Sequence, residues 1–436
     1  MKAFVIAAPS SGSGKTTLTM GLIAALRRRE LSVQPFKVGP DYIDSAYHSA
    51  LAGRTCINLD TWMTPDSFVR ETFHRHAAGA DVAVVEGVMG LFDGKDGRGS
   101  SAHIAKLLGL PVVMVIDAGM AAQSAAALLY GFETFDPELN VSGALFNNIA
   151  GSGHWDCITE AADKHCQARL FGYLRKNSNL RLPERQLGLV SAHERGLSET
   201  FIEQLTAAVE ENINLDALLE HLPSFEPDTL PEIKAEPPSG RLGVAKDEAF
   251  CFYYQDNLDL LKQAGIELIE FSPLHDSVLP DVDALYFGGG FPEEFTGKLA
   301  GNKPMLEAVR SFTGKILAEC GGLIYLCREF TGLDGKTFKL AGRINGRIGM
   351  TNTLQACGYR EVEFNCDTIL GPRGTVLRGH EFHWSKWIEH PENSGALNSA
   401  GHNWGVADKN IFASYFHIHF GSNPAAVGFF KKGLSA

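Results

Sequence analysis

The run Ser10-Ser11-Gly12-Ser13-Gly14-Lys15-Thr16-Thr17 constrains this chain more than any other stretch, because an apolar strand pattern precedes it and a helical pattern follows. In that context backbone N–H groups and a helix N-terminus cradle phosphates. Gly12, Ser13 and Gly14 then shape the cradle, Lys15 reaches the outer phosphate oxygens, Thr16 can ligate Mg²⁺, and Thr17 completes the first turn. Pro9 stands where the first glycine of G-x-x-x-x-G-K-[ST] is expected. A merely flexible serine–glycine turn would not need a strand and a helix at its two ends. The opening MKAFVIAAPSSGSGK also looks like a signal peptide, but its apolar run is short and feeds straight into the loop, so a buried strand is expected.

Two further runs place carboxylates at predicted strand ends. Lys37-Val38-Gly39-Pro40-Asp41-Tyr42-Ile43-Asp44 leaves the second strand, and burying Lys37, Asp41 and Asp44 is costly unless they pair or bind metal. A solvated proline–aspartate turn is the bland alternative. Glu86-Gly87-Val88-Met89-Gly90-Leu91-Phe92-Asp93-Gly94 follows the apolar Val82–Val85. An acid at the end of a buried strand is the Walker B arrangement for Mg²⁺, and glycines let Asp93 fold back toward the same centre.

Around these runs the chain alternates. Strands are predicted over Ala3–Ala8, Val33–Val38, Val82–Glu86, Val112–Asp117 and Ser142–Asn147. Helices are predicted over Lys15–Arg29, Pro65–His76, Ser101–Leu108 and Ala121–Tyr130. Such alternation gives a parallel sheet with helices on both faces and ligands at the carboxyl ends of its strands. Residues 221–240 hold five prolines and no apolar period, the mark of a linker. A second alternation follows: Leu242–Ala245, a helix near Asn257–Ala264, Ile266–Phe271, Ala284–Phe287 and Lys315–Ala318. Strands then dominate, with Tyr359–Phe364, Val376–Phe382 and Phe412–His417. The expected division is residues 1–220, a linker over 221–240, and residues 241–436, both domains α/β.

Composition removes other classes. The 436 residues are 44% hydrophobic and 21% charged, a globular balance, and the net charge of -12 argues against a nucleic-acid partner. Arg27-Arg28-Arg29 is the one basic run and reads as the surface end of a helix. No apolar stretch approaches 18 residues, so no membrane helix is expected. The eight cysteines contain no C-x-x-C pair and form no disulfide framework, which suits a reducing cytoplasm and leaves a thiol available as nucleophile.

That thiol is Cys320. Ile316-Leu317-Ala318-Glu319-Cys320-Gly321-Gly322-Leu323 sets it at a strand-to-helix turn, where a helix start and a nearby His⁺ would lower its pKa. Phe287-Gly288-Gly289-Gly290-Phe291 ends another strand, and the N–H groups of Gly289, Gly290 and Gly321 could form an oxyanion hole. Tyr415-Phe416-His417-Ile418-His419 puts two histidines on one strand face. A lone His-x-His could be a surface or metal pair; after this cysteine turn it reads as the base of a nucleophile–base pair. His380 and His383 lie in HEFH, which is not the zinc motif H-E-x-x-H.

Taken in order, SSGSGKTT, KVGPDYID, EGVMGLFDG, YFGGGFPEEF, AECGGLIYL and SYFHIHF closely resemble the cobyrinate a,c-diamide synthases over nearly the whole chain. The resemblance implies a P-loop, dethiobiotin-synthetase-like ATP domain over 1–220 and a class I glutamine amidotransferase domain over 241–436. It implies amidation of the a and c side-chain carboxylates of a corrin-ring precursor of cobalamin, with ATP and glutamine as co-substrates and Mg²⁺ as metal. Cys320 becomes the nucleophile and His417 its base. Asp41, Glu86 and Asp93 match positions used for ATP, Mg²⁺ or substrate, with Thr16, Glu86 and Asp41 as metal ligands and Lys37, Asp41, Asp44 and Asp93 serving activation. Asn147 resembles the adenine-reading asparagine of dethiobiotin synthetases. Ordinary class I glutaminases have His-x-Glu where this chain has His-x-His, so the third triad member is open, with His419 a candidate. Released ammonia must stay unprotonated, so a sheltered route between domains is expected.

Hydrogenobyrinate and nickel-sirohydrochlorin a,c-diamide synthases share this architecture, and no residue separates them here. A MinD-like switch ATPase with a non-catalytic second domain is the reading from another class. The missing loop-start lysine and the intact Cys320 turn count against it. The partners expected are therefore small molecules, a tetrapyrrole carboxylate, glutamine and ATP, and a homodimer is one assembly left open.

Overall fold

A computed structural model describes residues 1–177, 180, 184–185, 188–189, 197–231 and 236–434. They fall into two units that meet in sequence at Pro231 and Glu232. The first unit runs β1 (Lys2–Ala7), α1 (Lys15–Arg28), β2 (Val33–Val38), α2 (Ile43–Ala52), β3 (Ile57–Leu59), α3 (Asp66–Ala77) and β4 (Val82–Glu86). It continues with α4 (Ser101–Leu108), β5 (Val112–Asp117), α5 (Gln123–Phe135), β6 (Val141–Ile149), α6 (Ser152–His165) and β7 (Arg169–Arg175), then α7 (Glu199–Asn212) and α8 (Leu215–His221). The strands form one parallel sheet in the order β3-β2-β4-β1-β5-β6-β7.

Strand β1 shows why its sequence is apolar without alternation. Ala3, Val5 and Ala7 enter one core while Phe4 and Ile6 enter the core on the opposite face. A strand covered on both faces reads as a continuous apolar run. Since β1 lies between β4 and β5, the strand order reverses there, and the loop after β1 opens into the crevice where such sheets bind ligands. Two strands of this sheet escape the sequence reading: β3 has only three residues, and β7 starts and ends on exposed arginines. Helix α5 starts later than predicted and passes Tyr130 and Gly131 to reach Phe135, the glycine being tolerated inside the helix.

The proline-rich stretch is tied down at both flanks. Phe225 donates its N–H to Met1 O at 2.9 Å, and Lys2 bridges Ser224. Glu236 donates to Gln263 O at 2.8 Å and Ser239 to Gly265 O at 2.9 Å. Residues 232–235 of the predicted linker lie outside the described residues.

In the second unit, Glu267–Phe271, Arg241–Ala245, Ala284–Phe287, Lys315–Glu319 and Ile411–Ser414 are parallel neighbours in that order. The sheet continues antiparallel through His402–Ala407, Ser394–Ser399, Ala356–Phe364, Val376–His383 and His417–Ile418. The single strand expected over Phe412–His417 is in fact two. The N–H of Phe416 donates to the Ser414 hydroxyl at 3.2 Å, which turns the chain. Ile411–Ser414 then pairs with the strand before Cys320, and His417 pairs with His380.

Candidate active sites

The phosphate loop is braced from two sides. Gly14 has φ +94°, and a Cβ there would lie 2.0 Å from Asn147 Nδ2. Asn147 uses that amide to hold the loop, donating to Ser13 O at 3.1 Å, while its Oδ1 accepts from Asn148 N at 2.9 Å. Ser13 Oγ donates to Ser10 O at 3.0 Å. On the other side the loop after β4 is pinned along β1, with Gly87 N donating to Ile6 O and Leu91 N to Ala8 O, both at 2.8 Å. This turn takes Met89 to φ +48° and aims its carbonyl at Lys15, whose Nζ donates to Met89 O at 2.5 Å and Ser10 O at 3.1 Å. Burial, then the nearby Lys37 ammonium, brings the Lys15 pKa down to about 8.

Beneath the loop lies a buried ion cluster. Lys37 Nζ is 2.6 Å from Asp44 Oδ2, 2.6 Å from Glu86 Oε1 and 3.6 Å from Asp41 Oδ2. Thr16 Oγ1 donates to the same two acids, at 3.1 Å to Asp44 Oδ2 and 3.0 Å to Glu86 Oε1. Burial opposes the Lys37 charge, but Asp44, Glu86 and Asp41 outweigh it and hold its pKa well above the usual value. Glu86, which burial alone would protonate, is kept well below the carboxylate range by Lys37 and His48. Asp44 goes the other way, pushed up by burial and by Asp41. Asp41 caps α2, its Oδ1 accepting from Ile43 N at 3.0 Å and Asp44 N at 2.9 Å.

His48 is the member sequence reasoning missed. It is fully buried, with Nε2 2.6 Å from Glu86 Oε2. The signal was available, since Asp44 and His48 are one helical turn apart and share a face. Asp93 differs from the other acids. It is exposed, and its Oδ2 accepts from Gly90 N at 2.8 Å, closing its own turn.

A cleft of about 730 Å³ brings together Gly12, Gly14, Lys15, Thr16, Thr17, Lys37, Asp41, Asp44, Glu86 and Asn147. Asp117, Asn148 and the end of β7 at Arg175 also line it and were not predicted. The carboxylate oxygens of Asp41, Asp44 and Glu86 face the Lys37 ammonium, with Thr16 Oγ1 bonded to two of these acids, so this oxygen-lined cage suits a cation. Among the described residues no three His, Cys, Asp or Glu side chains form a self-sufficient metal site. Mg²⁺ suits that donor set, because it commonly takes one or two protein oxygens and completes its shell with phosphates and water.

In the second unit Cys320 ends a parallel strand with φ +45° and ψ -96°, a backbone that non-glycine residues rarely adopt. Its N–H donates to Ser414 O at 2.7 Å, and Gly322 N donates to Gly288 O at 3.0 Å, which locks the elbow to the neighbouring glycine turn. Gly289 must lack a side chain, as a Cβ would come within 2.3 Å of His417 Cε1. Gly289 also spends its N–H on Phe252 O at 3.3 Å, whereas a Cβ on Gly321 would fall 3.2 Å from Gly290 N. His417, buried, stacks on His380 with centroids 4.6 Å apart, and its Nδ1 is 3.9 Å from Glu319 Oε2. His380 Nδ1 is 2.7 Å from the Tyr254 hydroxyl.

The electrostatics correct one expectation. Burial, followed by Glu293, pushes the Cys320 thiol up rather than down. Burial takes His417 down to about 3 and Glu319 up to about 8. At rest the site therefore holds a neutral thiol and a neutral imidazole. The two histidines also part company. His419 faces Asp256 at 3.7 Å and the Tyr254 ring at 4.7 Å.

A mononucleotide-binding parallel sheet with a loop-braced lysine, followed by an α/β unit with a cysteine elbow, defines a two-domain glutamine-dependent synthetase architecture. Residues 4–190 match the CobQ/CobB/MinD/ParA nucleotide binding domain, and residues 241–425 the CobB/CobQ-like glutamine amidotransferase domain. Cobyrinate a,c-diamide synthase of Streptococcus sanguinis is 42% identical, covering 96% of both chains. The enzymes of that name from Listeria monocytogenes (strain F2365) and Syntrophotalea carbinolica are 43% and 42% identical, each over 97% of this chain and 97% and 96% of their own. The chain belongs to the cobyrinate a,c-diamide synthase family.

Proposed function

We propose that the chain converts the a and c side-chain carboxylates of cobyrinate into amides, using ATP and glutamine. The observation that carries this reading is the coexistence, in one chain, of the Lys15–Thr16 phosphate cleft and the Cys320 elbow. Near-full-length likeness to proteins named cobyrinate a,c-diamide synthase supports the substrate.

A carboxylate resists ammonia because its leaving group would be oxide. In the first unit, the substrate carboxylate attacks the γ-phosphorus of ATP, forming an acyl phosphate and releasing ADP. Lys15 and Lys37 offset the charge on the transferring oxygens. Gly12, Ser13 and Gly14 present backbone around the phosphates, and Thr17 opens the helix beside them. Asn147, already bound to the loop, reads the adenine, and Arg175 lines the same cleft. Thr16, Glu86 and Asp41 would hold Mg²⁺, which when bound neutralises phosphate charge. Asp44 keeps Lys37 in place, and Asp93 stiffens the turn that presents Met89 O.

In the second unit the Cys320 sulfur attacks the glutamine amide carbon while its proton passes to His417. The carbonyl electron pair moves onto oxygen, facing Gly290 and Gly321; Gly289 shapes this turn more than it donates. Collapse breaks the C–N bond, ammonia leaves with the proton from His417, and water later hydrolyses the γ-glutamyl thioester. Ammonia then displaces phosphate from the acyl phosphate, and a second cycle gives the diamide. Eight free cysteines suit a reducing cytoplasm.

The test is purified protein with ATP, glutamine and, separately, cobyrinate, hydrogenobyrinate and nickel-sirohydrochlorin. The reading expects two carboxylates of cobyrinate to become amides. Exclusive use of another macrocycle would reassign the substrate and leave the reaction class intact.

A further inference from the structure

A catalytic imidazole needs its second nitrogen held, or the ring turns and its tautomer is unset. Here the residue two places after His417 is His419, whose Nδ1 accepts from Gly421 N at 3.1 Å and whose Nε2 lies 3.7 Å from Asp256. Both of its nitrogens are thus directed at other groups. An acid that faces His417 comes from elsewhere. Glu319, the residue before Cys320, places Oε2 3.9 Å from His417 Nδ1, with side-chain exposures of 1% and 2%. Its Oε1 accepts the N–H of Ile418, the next residue after His417, at 3.2 Å. Glu319 is therefore fixed in a strand and clamped to the segment that carries the imidazole.

We propose that Glu319 is the positioning acid of the glutaminase site, holding the Nδ1–H of His417 so that Nε2 is left to take the Cys320 proton. The proposal rests on reading Cys320 and His417 as nucleophile and base. One strand end then supplies both the nucleophile and the group that orients its base. The role does not require charge on Glu319, since a carboxyl oxygen accepts an N–H in either protonation state. A separation of 3.9 Å exceeds a hydrogen bond, and catalytic hydrogen bonds in substrate-free sites are often long and tighten with substrate. The other groups facing His417 fit this role less well. His380 stacks on its ring face, and His383 bears on it through charge.

The experiment compares glutaminase kinetics of the full chain with Glu319→Leu, Glu319→Gln and His419→Gln, and with Cys320→Ala and His417→Asn as references. Leucine removes both acceptor oxygens, so kcat should fall about a hundred-fold with KM for glutamine within about three-fold. Glutamine retains one acceptor oxygen and should recover part of that loss, while His419→Gln should change little. ATP-dependent amidation from ammonium chloride should persist in every variant, which excludes a general fold defect. A Glu319→Leu enzyme with near-normal kcat, or loss confined to His419→Gln, would overturn the proposal. Glutaminase surviving in Cys320→Ala would instead overturn the nucleophile reading beneath it. Should the leucine variant not fold, ¹⁵N-histidine spectra of the unmodified protein decide, the His417 signals being those lost in His417→Asn. A proton on Nδ1 supports the proposal, and one on Nε2 at rest contradicts it.

Discussion

At the scale of single residues, the two sites solve the same difficulty in opposite ways. The nucleotide cleft keeps charge inside the protein by pairing it, and the glutaminase site keeps its groups neutral. Glu86 is completely buried, and both its oxygens are engaged, one by Lys37 and Thr16, the other by His48. Removing one partner of such a cluster leaves a buried charge uncompensated. Glu86→Gln should therefore destabilise the first unit by about 3 kcal/mol as well as abolish amidation. Chemical denaturation read by intrinsic fluorescence measures the first effect, and an unchanged midpoint would show that Lys37 does not depend on Glu86. The sequence made Glu86, Lys37 and Asp44 visible because charged residues at the ends of apolar strands are conspicuous. His48 was passed over because a lone helical histidine stands out only when its i,i+4 spacing from Asp44 is counted. Glu319 was hidden differently: written beside Cys320, it looks like a strand residue until the fold brings His417 back across it.

At the scale of elements, parallel strands and the turns that leave them do most of the positioning. The pattern of β1, β2, β4 and β5 was legible because both faces of those strands are covered, leaving runs without alternation. The split of the last strand was not, since Tyr415 and Phe416 read as strand formers and the bend comes from the side-chain bond that the Ser414 hydroxyl accepts from Phe416 N. That bend is what carries His417 to the glycine turn. Gly289→Ala tests the coupling between the two, because a methyl group 2.3 Å from His417 Cε1 must displace the imidazole. Glutaminase kcat should fall at least about ten-fold, the effect of roughly 1.4 kcal/mol, while ammonia-dependent amidation is unaffected. Stopped assays with each nitrogen donor would show this. Equal loss with both donors would mean that the turn matters to the whole fold rather than to the histidine.

At the scale of the whole molecule, the central claim is a division of labour: the first unit activates a carboxylate, and the second makes the ammonia that displaces phosphate. The core clusters of the first unit share no residue with those of the second, and the division falls within the stretch where the sequence loses its apolar period. What the sequence did not reveal is that this stretch is bound to both units at its flanks, through backbone bonds that leave no side-chain signature. The most direct measurement is ATP-dependent amide formation by Cys320→Ala, with glutamine and with ammonium chloride at a pH where enough ammonia is unprotonated. Cys327→Ala serves as a control, as that thiol is buried in the second core, and Lys15→Ala is the complementary variant. The account predicts that Cys320→Ala loses glutamine-dependent turnover and keeps ammonia-dependent turnover, that Cys327→Ala keeps both, and that Lys15→Ala loses both. Amidation from glutamine by folded Cys320→Ala, or its failure with both donors, would contradict it.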